Sequence, residues 1–190
     1  MRIGAVLLAA GQGRRFGGDK LLAGLAGRAV IDYALDAMAG FPFEAAVCVV
    51  RPDSRVVDRL DDRAVIPVVN RQAHLGMGTS LAAGIRALPP VDAAFIVLAD
   101  MPALPRGLFG RMAAAMAEME ADIVVPVHAG TQGHPVLFAR RCFPDLAALR
   151  EDAGAKAVIR SGRYGVATVD TEDAGILRDI DVPGDLDRLC

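Results

Sequence analysis

The chain has no tryptophan, and only 5% of its 190 residues are aromatic. A core must therefore be assembled from Ala, Val, Leu and Ile, which an apolar content of 53% can supply. Cysteine is scarce: Cys48, Cys142 and Cys190 are odd in number and far apart, which excludes a disulfide framework and shows no zinc-ligand spacing. Cys48, inside an apolar run, reads as a small core residue. There is no excess of basic charge. A formal net charge of −2 removes the electrostatic ground for a nucleic-acid partner. No apolar run is long enough to span a bilayer. Met1-Arg2 and the apolar residues to Ala10 have a faint likeness to a secretion signal, but the apolar part is short and the charges of Arg14 and Arg15 follow it instead of preceding it. A cytoplasmic protein with no membrane association is expected.

What is present is a rhythm. Ile3–Leu8, Ala45–Val50, Val65–Val69, Ala93–Leu98 and Asp122–Pro126 are short β-branched or apolar runs. Their continuous apolarity, rather than alternation, predicts strands covered on both faces. Between them, helical patterns fall at Ala29–Ala39, Ser54–Leu60, Ser80–Leu88 and Pro105–Glu120, with Pro105 suited to a first helical turn. This order predicts an α/β fold, a three-layer sandwich with a mostly parallel sheet and a Rossmann-like first half. Later the rhythm breaks. Pro135–Ala139 and Tyr164–Val169 are candidate strands, and Pro144–Arg150, Ala153–Arg160 and Pro183–Leu189 candidate short helices. With no repeat, low-complexity tract or long linker, residues 1–190 read as one domain.

Ligands of open α/β sheets bind beyond the carboxyl ends of the strands. The loops after Leu8, Val69, Leu98 and Val127 carry nearly all the unusual chemistry. The first runs Ala9-Ala10-Gly11-Gln12-Gly13-Arg14-Arg15-Phe16-Gly17-Gly18-Asp19-Lys20, with four glycines in eight positions. Such a loop can turn tightly and offer backbone N–H groups to an anion, and Arg14, Arg15 and Lys20 add charge suited to a triphosphate. Two familiar phosphate loops are excluded. A dinucleotide fingerprint needs glycine where Phe16 stands, and a P-loop needs Ser or Thr where Leu21 follows Lys20.

Asp100 ends the apolar strand at Leu98. It can be a turn residue, or a carboxylate facing the crevice, where Mg²⁺ takes one or two carboxylates along with phosphate oxygens. Asp181 can cap a final helix, since Asp181-Val182-Pro183 is a good helix entry. Asp179, two residues away, would point to the opposite side if the segment is extended, and reads as structural. In Gly76-Met77-Gly78-Thr79-Ser80 the two glycines allow close backbone approach to a flat base, while Thr79 or Ser80 can cap the helix that follows. His134 stands alone between two strands, and His74 and His128 have no partner that the sequence identifies.

The loop resembles that of the MobA-like nucleotidyltransferase family, Leu-Ala-x-Gly-x-x-x-Arg-x-Gly-x-x-Lys. So do Gly76-Met77-Gly78-Thr79-Ser80-Leu81, Leu98-Ala99-Asp100-Met101-Pro102, Gly133-His134-Pro135-Val136 and Asp179-Ile180-Asp181-Val182-Pro183, in family order from residue 8 to residue 187. Gly13 departs from the pattern, since many relatives carry Ser there. The resemblance implies a nucleotidyltransferase. Arg15 and Lys20 would contact the triphosphate, and Ala9, Ala10, Gly11, Gly13, Gly78, Thr79 and Ser80 would hold the nucleotide. Asp100 and Asp181 would hold Mg²⁺, and Gly133 and His134 would face the acceptor. Arg15, Lys20 and Asp100 would be the catalytic set. The cytidylyltransferases of the family are the most similar in these motifs. They imply CTP as the triphosphate, a pterin-phosphate acceptor that carries molybdenum, and a molybdenum enzyme or its chaperone as recipient. Alternatives are a guanylyl or sugar-phosphate transferase, a non-catalytic nucleotide-binding assembly factor for a molybdenum enzyme, and a redox enzyme on this fold.

Overall fold

The computed structural model describes residues 1–189, so Cys190 lies outside the described residues. In chain order the elements are β1 (Ile3–Leu8), β2 (Gly24–Leu25), β3 (Arg28–Ala29), α1 (Val30–Ala39), β4 (Ala45–Val50), β5 (Val65–Val69), α2 (Met77–Ala87), β6 (Ala93–Leu98), α3 (Leu108–Glu118), β7 (Ile123–His128), β8 (Thr131–Gln132), β9 (Val136–Ala139), α4 (Phe143–Ala147), α5 (Ala155–Arg160), β10 (Val166–Asp170) and α6 (Gly184–Asp187).

Eight strands form one sheet in the order β10-β7-β9-β6-β1-β4-β5, with β8 paired to β7 at the side. β1 lies parallel to β4 and β6, β4 to β5, and β7 to β10. β9 is antiparallel to both β6 and β7. Alternate residues feed two cores. Ala5, Leu7, Cys48, Phe95 and Val97 pack with Ile31 and Leu35 of α1 and with Phe109 and Met112 of α3. On the other face Val6, Val47, Val49 and Ile96 pack with Leu81 and Ile85 of α2, Leu146 of α4 and Val158 of α5. The fold is thus a three-layer α/β sandwich with a mostly parallel, Rossmann-like sheet. α2 sits especially close to it, because a Cβ on Gly84 would fall 2.3 Å from Val6 Cγ1 and 2.9 Å from Val49 Cγ2.

Several boundaries differ from expectation. The span Ser54–Leu60 forms only a 3-10 turn, Arg55–Arg59, in which the Ser54 hydroxyl accepts the Val56 N–H and closes the first turn tightly. Pro105 precedes α3 instead of opening it: its carbonyl accepts the Leu108 N–H in a separate turn. α2 starts at Met77, so Thr79 and Ser80 are helical and Gly76, with φ of 127°, is the N-cap. No helix among the described residues is long and apolar enough to cross a membrane.

Candidate functional site

The carboxyl ends of β1 and β6 open into a cavity of about 570 Å³. Its walls include Ala9, Ala10, Gly11, Gly13, Arg15, Lys20, Ser80, Asp100 and Asp181, nine of the residues expected from sequence. The glycine loop is shaped by its own backbone. Gly13 has φ of 56° and its carbonyl accepts the N–H groups of Phe16 and Gly17. A Cβ on Gly13 would fall 2.6 Å from the Gly18 carbonyl oxygen, so a side chain at this position requires a different turn. Asp19 pairs with Arg51 beyond β4 at 3.0 Å, which ties the loop's far end to the sheet.

Lys20 is the centre of the charged cluster. Its ammonium donates to Asp100 Oδ2 at 2.6 Å and to the Ile180 carbonyl at 2.7 Å, and lies 3.6 Å from Asp181 Oδ1. Arg15 meets the other oxygen of Asp181 at 2.9 Å. The backbone makes this possible, because the Ile180 N–H donates to the Asp100 carbonyl at 2.9 Å and fastens the distant segment to the end of β6. Capping does not explain Asp181. The N–H groups of Asp181 and Val182 are taken by Asp185 Oδ2, at 2.8 and 2.9 Å, which leaves the Asp181 carboxylate to the cations. Those bonds hold Asp185 below the usual carboxylate range.

Asp179 also lines the cavity, on the same side as Asp181 and not opposite it as an extended segment would require. Residues 179–181 are not a strand, so strand alternation does not separate their side chains. Partial burial, and then the neighbouring Asp100, push the Asp179 carboxyl above its ordinary value. Asn70, His74 and Asp152 were likewise not assigned roles from sequence. Asn70 is buried at the end of β5; its amide donates to Thr79 Oγ1 at 2.9 Å and Ser80 Oγ at 3.0 Å, clasping α2. An Asn directly after an apolar strand was the available signal. His74 and Asp152 stand on the cavity wall, and no sequence pattern marks either.

Four expected residues do not line this cavity. Gly78 is buried against residues 150–153: its N–H donates to the Glu151 carbonyl at 2.8 Å, and a Cβ would fall 2.6 Å from the Ala153 oxygen. Thr79 turns its hydroxyl to the carbonyls of Gln72 and Gly76. Gly133 packs on Ile176, whose oxygen a Cβ would approach to 2.4 Å. His134 follows it with its N–H on the Ile176 carbonyl and a buried, unpartnered Nδ1. Burial lowers the His134 pKa to about 4; Lys156 adds to the drop, and Asp179 opposes it. His128 places Nδ1 3.0 Å from the Thr171 carbonyl, a structural tie. A second cavity of about 610 Å³ shares Arg15, Asp179 and Asp181 with the first and runs beside Arg178 and Arg188.

A doubly wound sheet, a cationic glycine loop at its carboxyl edge and facing carboxylates define a nucleotide-handling α/β protein. Residues 5–168 match the MobA-like NTP transferase domain, and the chain belongs to that family. It is 28% identical to the purine catabolism protein PucB of Bacillus subtilis, over 97% of this chain and 94% of that protein. It is also 28% identical, over the same shares, to nicotine blue oxidoreductase of Paenarthrobacter nicotinovorans. Among solved structures, Rv0371c of Mycobacterium tuberculosis superposes with a TM-score of 0.84 at 26% identity, covering 100% of this chain and 98% of that one. The same protein in complex with manganese gives 0.80, with the same identity and coverage.

Proposed function

We propose that the protein transfers CMP from CTP to the phosphate of a molybdenum-bearing pterin cofactor, releasing pyrophosphate and forming the cytosine dinucleotide. The observation that carries this reading is the convergence of Lys20, Arg15, Asp100 and Asp181 on the wall of a nucleotide-sized cavity. Membership of the MobA-like transferase family supports transfer in general, and the motif resemblance supports the base and the acceptor.

An oxygen of the acceptor phosphate attacks the α-phosphorus, a new P–O bond forms, and the bond to the β-phosphate oxygen breaks. The attacking phosphate is already anionic at neutral pH, so the chain needs no protein nucleophile. Its work is positioning and charge stabilisation. Gly11 and Gly13 bring the backbone close to the phosphates, and Lys20 and Arg15 offset charge on the departing pyrophosphate. Asp100 and Asp181 would hold Mg²⁺. Their oxygens, with the Ile180 carbonyl nearby, form the hard donor set that Mg²⁺ accepts, and they already face a cation in the form of Lys20. Bound there, the ion supplies Lewis-acid stabilisation of the phosphates. The acceptor would enter from the Arg15–Asp181 side, where the two cavities meet, with the Gly133–His134 loop near enough for the Asp179 charge to act on His134. Delivery of the product to a molybdenum enzyme or its chaperone belongs to the same proposal.

CTP is favoured over GTP by Ala10, which is buried and lines the cavity. A methyl group there leaves less depth for a two-ring base. Shape alone discriminates by about 1–3 kcal/mol, so Ala10→Gly should relax the preference without reversing it. Single-turnover competition between CTP and GTP for transfer to the pterin tests this. A wild-type preference for GTP would remove the cytidylyl assignment and keep the transferase. The name of one relative, nicotine blue oxidoreductase, supports a second reading, redox chemistry on the same fold. Substrate-dependent oxidation of NAD(P)H by the purified protein, without nucleotidyl transfer, would establish it.

A further inference from the structure

Four carboxylates line the nucleotide cavity. Asp100 and Asp181 pair with Lys20 and Arg15, and Asp179 feels the charge of Lys20, whereas Asp152 pairs with no cation among the described residues. Asp152 is held there by its loop. The Glu151 carbonyl accepts the Gly78 N–H at 2.8 Å, and a Cβ on Gly76 would fall 2.4 Å from Asp152 Oδ1. Both glycines at the start of α2 therefore admit residues 150–153 against the helix, and the absence of a side chain at Gly76 is what lets the carboxylate reach the wall. No hydrogen bond or ion pair of the Asp152 carboxylate occurs among the described residues, and its backbone neighbour, not its side chain, satisfies the Gly78 N–H at the helix start.

The apolar lining of the same cavity suits a flat heterocycle. Leu75 and Met77 are half-exposed apolar groups that line the cavity, and Ala10 and Leu8 line it too. Ser80 is buried and lines the same cavity. Its hydroxyl oxygen accepts from the Asn70 amide at 3.0 Å, which leaves its own proton to donate. A hydroxyl donor and a carboxylate acceptor together complement a ring that presents a carbonyl oxygen and an exocyclic amino group. Cytosine has both. Uracil has the same outline but a carbonyl where cytosine has its amino group.

We infer that Asp152 is a specificity-determining residue that reads the exocyclic amino group of the nucleobase, with Ser80 donating to its carbonyl. The inference rests on the proposed nucleotide reading of the cavity. A carboxylate only accepts hydrogen bonds, so it pairs with the cytosine amino group and faces the uracil carbonyl without a proton between them. Its charge also disfavours a phosphate beside it, whereas Lys20 and Arg15 attract one.

The test is calorimetric titration of CTP and UTP, each with Mg²⁺, into the wild type, Asp152→Asn and Lys20→Ala. Asp152 is exposed and bonds to no other side chain, so its substitution should leave the fold intact. The wild type is expected to bind CTP at least about tenfold more tightly than UTP, the usual yield of one well-placed base contact. Asp152→Asn can turn its amide to donate to uracil and should bring the ratio toward one. Lys20→Ala should weaken both nucleotides and keep the ratio. Equal wild-type affinity for CTP and UTP, or an unchanged ratio in Asp152→Asn, would overturn the role of Asp152 while leaving a nucleotide cavity. Failure of the wild type to bind either triphosphate would instead remove the nucleotide reading itself.

Discussion

Replacing Lys20 with alanine has consequences of opposite sign for two ligands. The Lys20 and Asp100 side chains are only 13% and 20% exposed, and their 2.6 Å contact is joined by the Ile180 carbonyl. Breaking such a pair should cost between the near-zero value of a surface pair and the larger penalty of a buried one, about 2 kcal/mol. In a domain of this size that lowers the melting temperature by roughly 4–8 °C, so the variant should remain folded at 25 °C. A triphosphate loses a charge-assisted contact and should bind more weakly by about 2–3 kcal/mol, some 30- to 150-fold. A divalent cation without nucleotide should gain. The ammonium and the ion compete for Asp100 and Asp181, and removing the ammonium leaves the carboxylates without that counter-charge. Titration of Mn²⁺ followed by electron paramagnetic resonance reads the ion, and calorimetry with CTP reads the nucleotide. Unchanged CTP affinity in the folded variant, or weaker Mn²⁺ binding without nucleotide, would refute the reasoning.

Three further outcomes are expected. His134, held near pKa 4 by burial, stays neutral in the fold while the unfolded chain takes up a proton near pH 6.5, so its contribution is lost as pH falls between those values. The loss should total about 3 kcal/mol, and His134→Gln should flatten that part of a urea-denaturation profile taken from pH 7 to pH 4. Asp179 has the opposite sense among acids: the fold raises its pKa, so ionising it costs stability as pH rises from the ordinary carboxylate value of 3.8 through the raised one. Asp179→Asn should therefore melt higher than the wild type at pH 7, with the gain fading toward pH 3, as read by calorimetry. Gly84→Ala drives a methyl group into Val6 and Val49 and should destabilise by about 1–3 kcal/mol in urea denaturation, with no direct contact to the nucleotide cavity.

The central strands were legible because their apolarity is local and continuous: β1, β4, β5 and β6 have the boundaries that the sequence predicts. The place of β9 was not. Its four residues encode burial but not direction, and only the assembled sheet sets them antiparallel between β6 and β7. The hairpin of β2 and β3 has two-residue strands, too short for any periodicity to register. Lys20, Arg15, Asp100 and Asp181 each belong to a sequence motif, and these are the side chains that the fold brings together at the cavity. Strand alternation does not hold for Asp179, because residues 179–181 are irregular and its side chain reaches the cavity. Thr79 and Ser80 look like caps in sequence, but Gly76 takes that position once residues 150–153 pack beside it and α2 begins at Met77. Asp152 reaches the cavity only through that same packing, between segments about 75 residues apart, which no local pattern reports.

The most direct measurement is transfer of label from α-³²P-CTP to the pterin phosphate in the presence of Mg²⁺, for the wild type, Asp100→Asn and Asp181→Asn. The asparagines keep shape and remove charge. The wild type should yield labelled cytosine dinucleotide and unlabelled pyrophosphate, and both variants should lose most of the rate while still melting cooperatively. Full transfer by Asp181→Asn together with loss in Asp179→Asn would move the metal to the neighbouring carboxylate. No transfer of label by the folded wild type to any phosphate-bearing pterin would contradict the proposed reaction.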